Sequence, residues 1–186
     1  MRDILARFRG ALFTALCRLF RKNIRIGKGL RLYRRWRLYG KGPIRIGDNC
    51  RVDGILGDTR QYTCIDTGAP SASVDIGDNA RLYAAKIWSQ FSIRMGNDVF
   101  IEESSIVDTD FHSIDRQRTT PDPHETLDKN RIVIGDRVCI GSRSIVTKRV
   151  TIGDDAMVAP GSIVARSVPA GCVVGGNPAK IIEPDA

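Results

Sequence analysis

The residues of this chain best suited to acid–base chemistry lie between positions 108 and 115. The segment reads Asp108-Thr-Asp110-Phe-His112-Ser-Ile-Asp115, and His112 is one of two histidines in the sequence. Imidazole, with an unperturbed pKa of about 6.5, accepts a proton at neutral pH, and a neighbouring carboxylate can orient the ring and stabilise the imidazolium. The segment therefore holds the components of a general base, His112, with Asp110 or Asp108 as its orienting carboxylate.

Downstream of this segment an aliphatic residue recurs every six positions, and glycine often follows it. A period of six matches neither an α-helix nor an alternating β-strand, and it predicts one short strand and one corner per unit. Three units make one triangular coil of a parallel β-helix, with the aliphatic side chains stacked inside. Weaker copies of the unit at Ile46, Ile76 and Met95 place the start of the β-helix near residue 24 or 44. The regular series is Ile134, Ile140, Val146, Ile152, Val158 and Val164.

The repeat is interrupted for about two dozen residues between Val107 and Ile132. A structureless segment of that length inside a compact domain is usually functional. The interruption predicts a protruding loop near residues 108–131 that carries the candidate base. His124, in the same loop, is more simply a solvated residue, and Asp115 either contacts an acceptor or caps a turn.

Residues 1–23 predict a basic amphipathic helix with an apolar side. Its longest stretch without a charge, residues 10–17, is far shorter than the roughly 20 residues that cross a bilayer. The helix either lies in the surface of an anionic membrane or packs its apolar side on the rest of the protein or on a neighbouring subunit. The basic and aromatic residues 31–41 favour the membrane, although a solvated edge strand has a similar composition. The apolar side comprises Ile4, Leu5, Phe8, Leu12, Ala15, Leu16 and Leu19.

Charge and cysteine content exclude some classes of function. Residues 1–45 hold 14 basic residues and one acidic residue, whereas residues 46–186 hold 15 basic and 20 acidic residues. Because nucleic-acid binding usually needs a basic face on the folded module, the acidic main body argues against it. Five cysteines without a Cys-x-x-Cys pair argue against a disulfide framework and a zinc site, and they indicate a reducing, cytoplasmic setting.

Residues 44–183 resemble the hexapeptide-repeat acyltransferases. Beyond the repeat, residues 168–182, with Gly-Asn-Pro-Ala-Lys, are similar to the closing segment of that family. Residues 108–115 are similar to the Asp-x-His-Ser-Ile stretch of enzymes that O-acetylate sugars of lipopolysaccharide and capsule. The resemblance implies an all-β fold, a left-handed parallel β-helix over residues 24–186, and a homotrimer that uses acetyl-CoA at sites between adjacent subunits.

The resemblance also implies a role for individual residues. His112 would take the proton of a sugar hydroxyl, and Asp110 or Asp108 would orient it. Asp115 and His124 are the loop residues that we consider as candidates for contact with the acceptor. Acetyl-CoA would occupy a groove between neighbouring β-helices, where a backbone amide can hold the developing oxyanion. No metal is implied. The matching donor-binding residues are Gly141 and Ser142 near the thioester, Pro160, Gly161, Ala165 and Arg166 along the pantetheine and phosphates, and Asn177, Pro178 and Lys180 near the adenine and 3′-phosphate.

The predicted function is therefore acetyl transfer from acetyl-CoA to a sugar hydroxyl during the synthesis of lipopolysaccharide, capsule or exopolysaccharide. The protein would be cytoplasmic or peripheral on the inner membrane, in contact with anionic lipid through residues 1–41. Alternatives are an N-acetyltransferase of an amino sugar, a serine-type acetyltransferase, and a non-catalytic trimeric scaffold on the membrane. A metalloenzyme resembling γ-carbonic anhydrase needs three histidines around one zinc, and two histidines do not match it.

Overall fold

The computed structural model describes residues 1–54, 62–111, 116 and 126–182, and within them the strands form three sheets. A helix, α1 (Arg2–Phe20), precedes the strands, and a short helix, α2 (Leu127–Asn130), lies before β13. Sheet 1 contains β1 (Ile24–Ile26), β4 (Ile44–Ile46), β7 (Ser73–Ile76), β10 (Ser92–Met95), β13 (Ile132–Ile134) and β16 (Thr151–Ile152). Sheet 2 contains β2 (Arg31–Leu32), β5 (Arg51–Asp53), β8 (Arg81–Tyr83), β11 (Phe100–Glu102), β14 (Cys139–Ile140), β17 (Met157–Val158), β19 (Val173–Gly175) and β20 (Lys180–Ile181). Sheet 3 contains β3 (Trp36–Gly40), β6 (Thr63–Thr67), β9 (Lys86–Ser89), β12 (Ser105–Val107), β15 (Ile145–Val146) and β18 (Ile163–Val164).

From β1 to β18, successive strands visit the three sheets in turn, so the chain winds as a prism with three sides. Neighbouring strands are parallel except for the final pair, in which β20 returns antiparallel to β19. The winding confirms the predicted all-β, left-handed parallel β-helix, and its first strand places the start at residue 24 rather than 44.

The core is a stack of aliphatic side chains held in register by the parallel strands. On sheet 1, Ile46 pairs with Ile76, Ile76 with Met95, and so on to Ile134 and Ile152. The equivalent inward residues of sheets 2 and 3 include Ile140 and Val146. The six residues of the predicted series are all buried, at 0–2% exposure, so the six-residue period identified the core residues correctly.

The corner between sheets 1 and 2, here called the ladder corner, repeats a Gly-Asp/Asn turn in five successive coils, at 47–48, 77–78, 96–97, 135–136 and 153–154. The side-chain oxygen of one turn accepts the backbone N–H of the turn before it: Asp78 from Asp48 at 2.7 Å, Asn97 from Asp78 at 2.9 Å, and Asp136 from Asn97 at 2.7 Å. The third residue of these four-residue turns, for example Asn79, has positive φ, which Asn and Asp tolerate better than most residues. The hydrophilic residues of the repeat therefore hold successive coils together.

Helix α1 closes the first end of the β-helix. Its buried residues are small or narrow and face the first coil: Ala6, Gly10, Thr14 and Cys17. A Cβ at Gly10 would overlap the carbonyl of Leu30, so glycine is needed for this close approach. Phe13 stacks on the buried Trp36 with ring centroids 5.7 Å apart. Trp36 is thus part of the core. It is not one of the aromatic residues at a membrane interface that the composition of residues 31–41 favours.

Candidate active site

The start of the predicted loop is fixed by the carboxylate of Asp108, which is fully buried. Oδ2 accepts hydrogen bonds from the Ser89 hydroxyl at 2.8 Å and the Phe91 N–H at 3.0 Å, and Oδ1 accepts the Gln90 N–H at 2.6 Å. Burial raises the pKa of Asp108, and these hydrogen bonds counteract that rise in part. Both oxygens of Asp108 therefore bind the preceding coil, which favours Asp110 over Asp108 as the orienting partner of a histidine.

The end of the loop returns to the same place. Asn130, at the end of α2, is fully buried and donates from Nδ2 to the backbone carbonyl of Asp108 at 3.3 Å. The backbone carbonyl of Asn130 accepts the N–H of Arg149 at 3.3 Å. The interruption of the repeat therefore begins and ends at one point of the corner between sheets 3 and 1, here called the loop corner.

Asp110 and Phe111 continue the chain along the loop corner. A carboxylate oxygen of Asp110 lies 2.6 Å from Nζ of Lys148, whose side chain is 15% exposed. The Phe111 ring meets Trp88 of sheet 3 edge-on, with centroids 5.2 Å apart, and its N–H donates to the hydroxyl oxygen of Thr109 at 2.9 Å. Charged, polar and aromatic contacts thus hold the chain up to the residue immediately before His112.

Three predicted site residues, His112, Asp115 and His124, lie outside the described residues, and their roles remain predictions. Within the described ranges, no three His, Cys, Asp or Glu side chains converge as a metal ion would require.

Gly141 and Ser142, predicted near the thioester, lie on the corner between sheets 2 and 3, here called the serine corner. The Gly141 N–H donates to the Val158 carbonyl at 2.9 Å, as part of the coil. The Ser142 hydroxyl donates to Glu102 at 2.7 Å, and the Ser142 N–H meets no acceptor among the described residues. The Ser142 amide, rather than that of Gly141, is thus available to a ligand.

Pro160 and Gly161 follow Gly141 and Ser142 one coil further along the serine corner. The Gly161 N–H donates to the Ser142 carbonyl at 2.8 Å, and Gly161 has φ +72°. A Cβ at Gly141 would lie within 2.9 Å of the Pro160 ring, so the two residues pack directly on each other. Buried serines support these turns from inside, since Ser144 and Ser162 bond the Ala159 carbonyl at 3.1 and 2.6 Å.

The closing segment extends the serine corner by another coil. The N–H of Gly176 donates to Ser162 at 3.2 Å, and its carbonyl accepts the Ile163 N–H at 2.9 Å. Asn177 and Pro178, joined by a cis peptide bond, are exposed beyond Gly176, and the exposed Lys180 begins β20. The structure therefore aligns six predicted donor-binding residues along one edge of the prism: Gly141, Ser142, Pro160, Gly161, Asn177 and Pro178.

Ala165 and Arg166 lie elsewhere, on the loop corner directly after β18. Val146 pairs with Val164, and the Thr147 N–H donates to the Val164 carbonyl at 3.0 Å, so Ala165 lies one coil beyond Thr147 and Arg166 one coil beyond Lys148. Both Ala165 and Arg166 are exposed. Within one chain, the residues predicted for the donor thus occupy two corners, on either side of sheet 3.

Sequence reasoning missed Lys148, Asn130 and the contact of Glu102 with Ser142. Lys148 follows the last strand residue of an otherwise regular repeat unit, so nothing in the period distinguishes it from a solvated lysine. Glu102 lies in a repeat unit, where a charged residue is as readily explained by a solvent-facing position. A signal did exist for Asn130, because it is a polar residue immediately before the repeat resumes, where a loop must be fastened.

Residues 131–166 match the family model described as bacterial transferase hexapeptide (six repeats). Among curated proteins, none matches the sequence significantly. The match covers the regular series of aliphatic residues, and it confirms the predicted resemblance to hexapeptide-repeat transferases.

The structure is similar to solved acyltransferases. It superposes on the polysialic acid O-acetyltransferase OatWY with a TM-score of 0.68 and 21% identity, over 86% of this chain and 73% of that one. For a mutant of the Bacillus cereus N-acyltransferase AntD, in complex with dTDP and coenzyme A, the TM-score is 0.66 at 18% identity, over 92% and 88%. A hexapeptide-repeat acetyltransferase from Vibrio cholerae, in complex with acetyl coenzyme A, is 26% identical over 94% of this chain and 76% of that one, with a TM-score of 0.54. The chain thus has the fold predicted for an acyltransferase.

Proposed function

We propose that this chain, which has the fold and the repeat of the hexapeptide acyltransferases, transfers an acetyl group from acetyl-CoA to a sugar hydroxyl of a surface polysaccharide or lipopolysaccharide. The proposal is supported by the match of residues 131–166, by the likeness to the Vibrio cholerae enzyme, and by the loop-corner geometry. The cytoplasm, where acetyl-CoA is made, is the compartment that the reaction requires.

The observation that carries the proposal is the fastening of the chain immediately before His112. Asp108 is locked by three hydrogen bonds, Asn130 ties the loop end to it, and Asp110 is paired with Lys148. A general base must be held within hydrogen-bond reach of its proton, and a fixed starting point restricts where His112 can lie. Such fastening suits a catalytic loop better than a solvated connection.

In the proposed mechanism, His112 takes the proton of the acceptor hydroxyl while the hydroxyl oxygen attacks the thioester carbonyl. The Ser142 N–H is the donor that we assign to the developing oxyanion, since the Gly141 N–H is already bonded to Val158. Glu102, which accepts the Ser142 hydroxyl, fixes that residue's side chain. Collapse of the tetrahedral intermediate then expels the coenzyme A thiolate, which takes up a proton.

Direct transfer to the acceptor is favoured over an acyl-enzyme on a cysteine. The nearest thiol along the chain, Cys139, is two residues from Gly141, and burial raises its pKa. A nucleophilic thiol needs the opposite shift, because the thiolate is the reactive form.

Acetyl-CoA fits along the serine corner, where the exposed residues from Pro160 to Pro178 form a continuous edge. Lys180, and Arg166 from a loop corner, bring positive charge suited to the phosphates of the donor. Because the described chain reaches the loop corner at Phe111, one residue before His112, while Ser142 lies on the serine corner, we infer that a complete site combines one corner of each of two subunits. The partly exposed Trp88 and Ile145 on the intervening sheet 3 face provide apolar surface for that contact, as a homotrimer requires.

The function is tested by incubating the purified protein with acetyl-CoA and a panel of oligosaccharides, with release of free thiol and product mass as readouts. We expect transfer that His112→Gln reduces by about 10²–10⁴-fold. Asp98→Asn, at an exposed position of the ladder corner away from the loop, is the control and should retain most of the rate. An unchanged rate in His112→Gln would remove this residue from the mechanism.

Mild alkali distinguishes O-acetyl from N-acetyl transfer, because esters hydrolyse and amides remain. Products from acceptors that carry both a hydroxyl and an amine should lose the acetyl group under these conditions. An alkali-stable product would instead establish amino-sugar N-acetylation. The shared site is tested by mixing two inactive variants, His112→Gln and Gly161→Trp, since mixed oligomers should regain activity at the interfaces that carry neither substitution.

A further inference from the structure

The apolar side of α1 is not covered by the rest of the described chain. Whereas small residues of the helix face the first coil, the large apolar ones face outward, and Phe8, Leu19 and Phe20 are 66%, 72% and 76% exposed. The exposed set is Ile4, Leu5, Phe8, Leu12, Leu16, Leu19 and Phe20. A monomeric soluble protein seldom exposes so many neighbouring large apolar side chains, which usually mark an interaction surface.

The position of α1 determines where this surface points. The helix packs on β1 and β2, the first strands of sheets 1 and 2, and Phe13 stacks on Trp36 of β3, the first strand of sheet 3. It therefore lies across the end of the prism, and its outward side points away from the body along the β-helix axis. This end surface consists of the outward face of one helix.

Basic side chains surround the exposed apolar residues. A groove of about 730 Å³ beside α1 has apolar walls from Ala11 and Leu30 and is bordered by Arg7, Arg18, Lys28 and Arg31. The side chains of Arg18 and Lys28 form no ion pair among the described residues, although the Lys28 backbone N–H donates to Asp48 at 2.7 Å, whereas Arg7 pairs with Asp3 at 3.0 Å. With 14 basic residues and one acidic residue in positions 1–45, the end of the prism is strongly positive.

We propose that the outward side of α1 docks this end of the protein on the surface of an anionic lipid bilayer. The apolar side chains in the middle of this surface would contact the acyl region of the bilayer. The basic side chains around them would contact the phosphate headgroups. A second copy of the chain fits less well, because two such ends would bring their positive borders together. Among the described residues, no helix has the length and apolar character needed to cross a bilayer, so α1 lies in the interface.

Flotation with lipid vesicles tests the proposal on the full chain. Vesicles containing phosphatidylglycerol should carry the protein upward at low salt, vesicles of phosphatidylcholine alone should not, and high salt should weaken the binding. The triple variant Phe8→Ser, Leu12→Ser, Leu19→Ser should reduce partitioning by roughly tenfold or more. Because these side chains are exposed, the variant should keep the circular dichroism spectrum of the wild type.

Ile181→Ser, which removes an exposed apolar residue near the other end of the prism, is the matched control and should float like the wild type. Equal flotation of the triple variant, or no flotation of the wild type, would overturn the proposal. If the wild type does not bind vesicles and the triple variant forms a smaller oligomer, the α1 face would instead be assigned to contacts between copies of the chain. Acetyl transfer to a water-soluble acceptor, measured on the same triple variant, should be unchanged, which separates this test from that of the proposed function.

Discussion

Asp110 and Lys148 form an ion pair of 2.6 Å across one coil of the β-helix, two residues before the predicted base. The pair joins the start of the long loop to the regular strand stack, where Lys148 follows β15. The side chains of Lys148 and Asp110 are 15% and 36% exposed, so the contact is partly shielded from solvent. It is therefore worth more than an exposed surface pair of the same geometry.

Replacing Lys148 by Met should lower kcat of acetyl transfer by roughly tenfold, because a small displacement of a catalytic group costs a large factor in rate. The KM for acetyl-CoA should change little, since Lys148 acts on the loop start rather than on the donor. Lys148→Arg, which retains the charge, should recover part of the rate. Equal kcat in Lys148→Met and the wild type would show that the pair does not position the loop.

Asp108→Asn should destabilise the protein by about 1–3 kcal/mol, as expected when a buried donor loses its acceptor. One oxygen of Asp108 accepts the backbone N–H of Gln90 and the other accepts that of Phe91. In either orientation of the asparagine amide, its NH₂ group would therefore face one of these N–H donors. Chemical denaturation measures the change. Asp98→Asn, at an exposed corner position with positive φ, should stay within about 0.5 kcal/mol of the wild type. Equal stability of the two variants would refute a structural role for the Asp108 carboxylate.

Gly135→Ala should also destabilise the fold, by about 1–3 kcal/mol, because the new Cβ would be 2.7 Å from the Asp154 backbone nitrogen. The clash involves backbone of the next coil, which cannot move without breaking the ladder corner. Gly68→Ala is the control, since the nearest atom there, at 2.6 Å, belongs to the flexible end of the Gln90 side chain. A thermal melt in which both variants match the wild type would contradict the close-approach argument.

Cys50 should be alkylated very slowly in the folded protein. Burial, with Asp78 and Asp48 nearby, raises the pKa of its thiol from 9.0 to about 11, so the reactive thiolate is scarce at neutral pH. The folded state holds this proton more tightly than the unfolded state, and the stability due to Cys50 is therefore present below pH 9 and lost as the pH rises toward 11. Mass spectrometry after timed exposure to iodoacetamide should show a rate that still rises above pH 9, and a plateau below that pH would contradict the raised pKa.

Most of the β-helix could be predicted from the sequence, because an aliphatic residue at every sixth position identifies each core position without reference to its contacts. The period predicts that the series from Ile134 to Val164 lies in the interior of the β-helix, and the structure buries all six of its residues. The contacts of the candidate site were harder to foresee. Lys148 meets Asp110 only because coils of different length bring positions far apart in sequence onto the same corner.

The N-terminal helix shows a different limit of sequence analysis. Its apolar side was recognised correctly, but a hydrophobic pattern does not say whether protein or lipid covers that side. The structure shows that Ala6, Gly10 and Thr14 form the face that meets the first coil. Small residues permit close backbone approach, and such a face carries little hydrophobic signal.

The ladder corner keeps the same four-residue turn in every coil, as in 47–50, 77–80, 96–99 and 135–138, whereas the extra residues of the chain are inserted at the other two corners. One edge of the prism therefore acts as an invariant spine that sets the strand register, and the remaining edges are free to change length. Replacing only residues 113–129 with a segment from another protein, which keeps Asp108, Asp110, His112 and Asn130, should then alter which acceptor is recognised while the stacked coils persist.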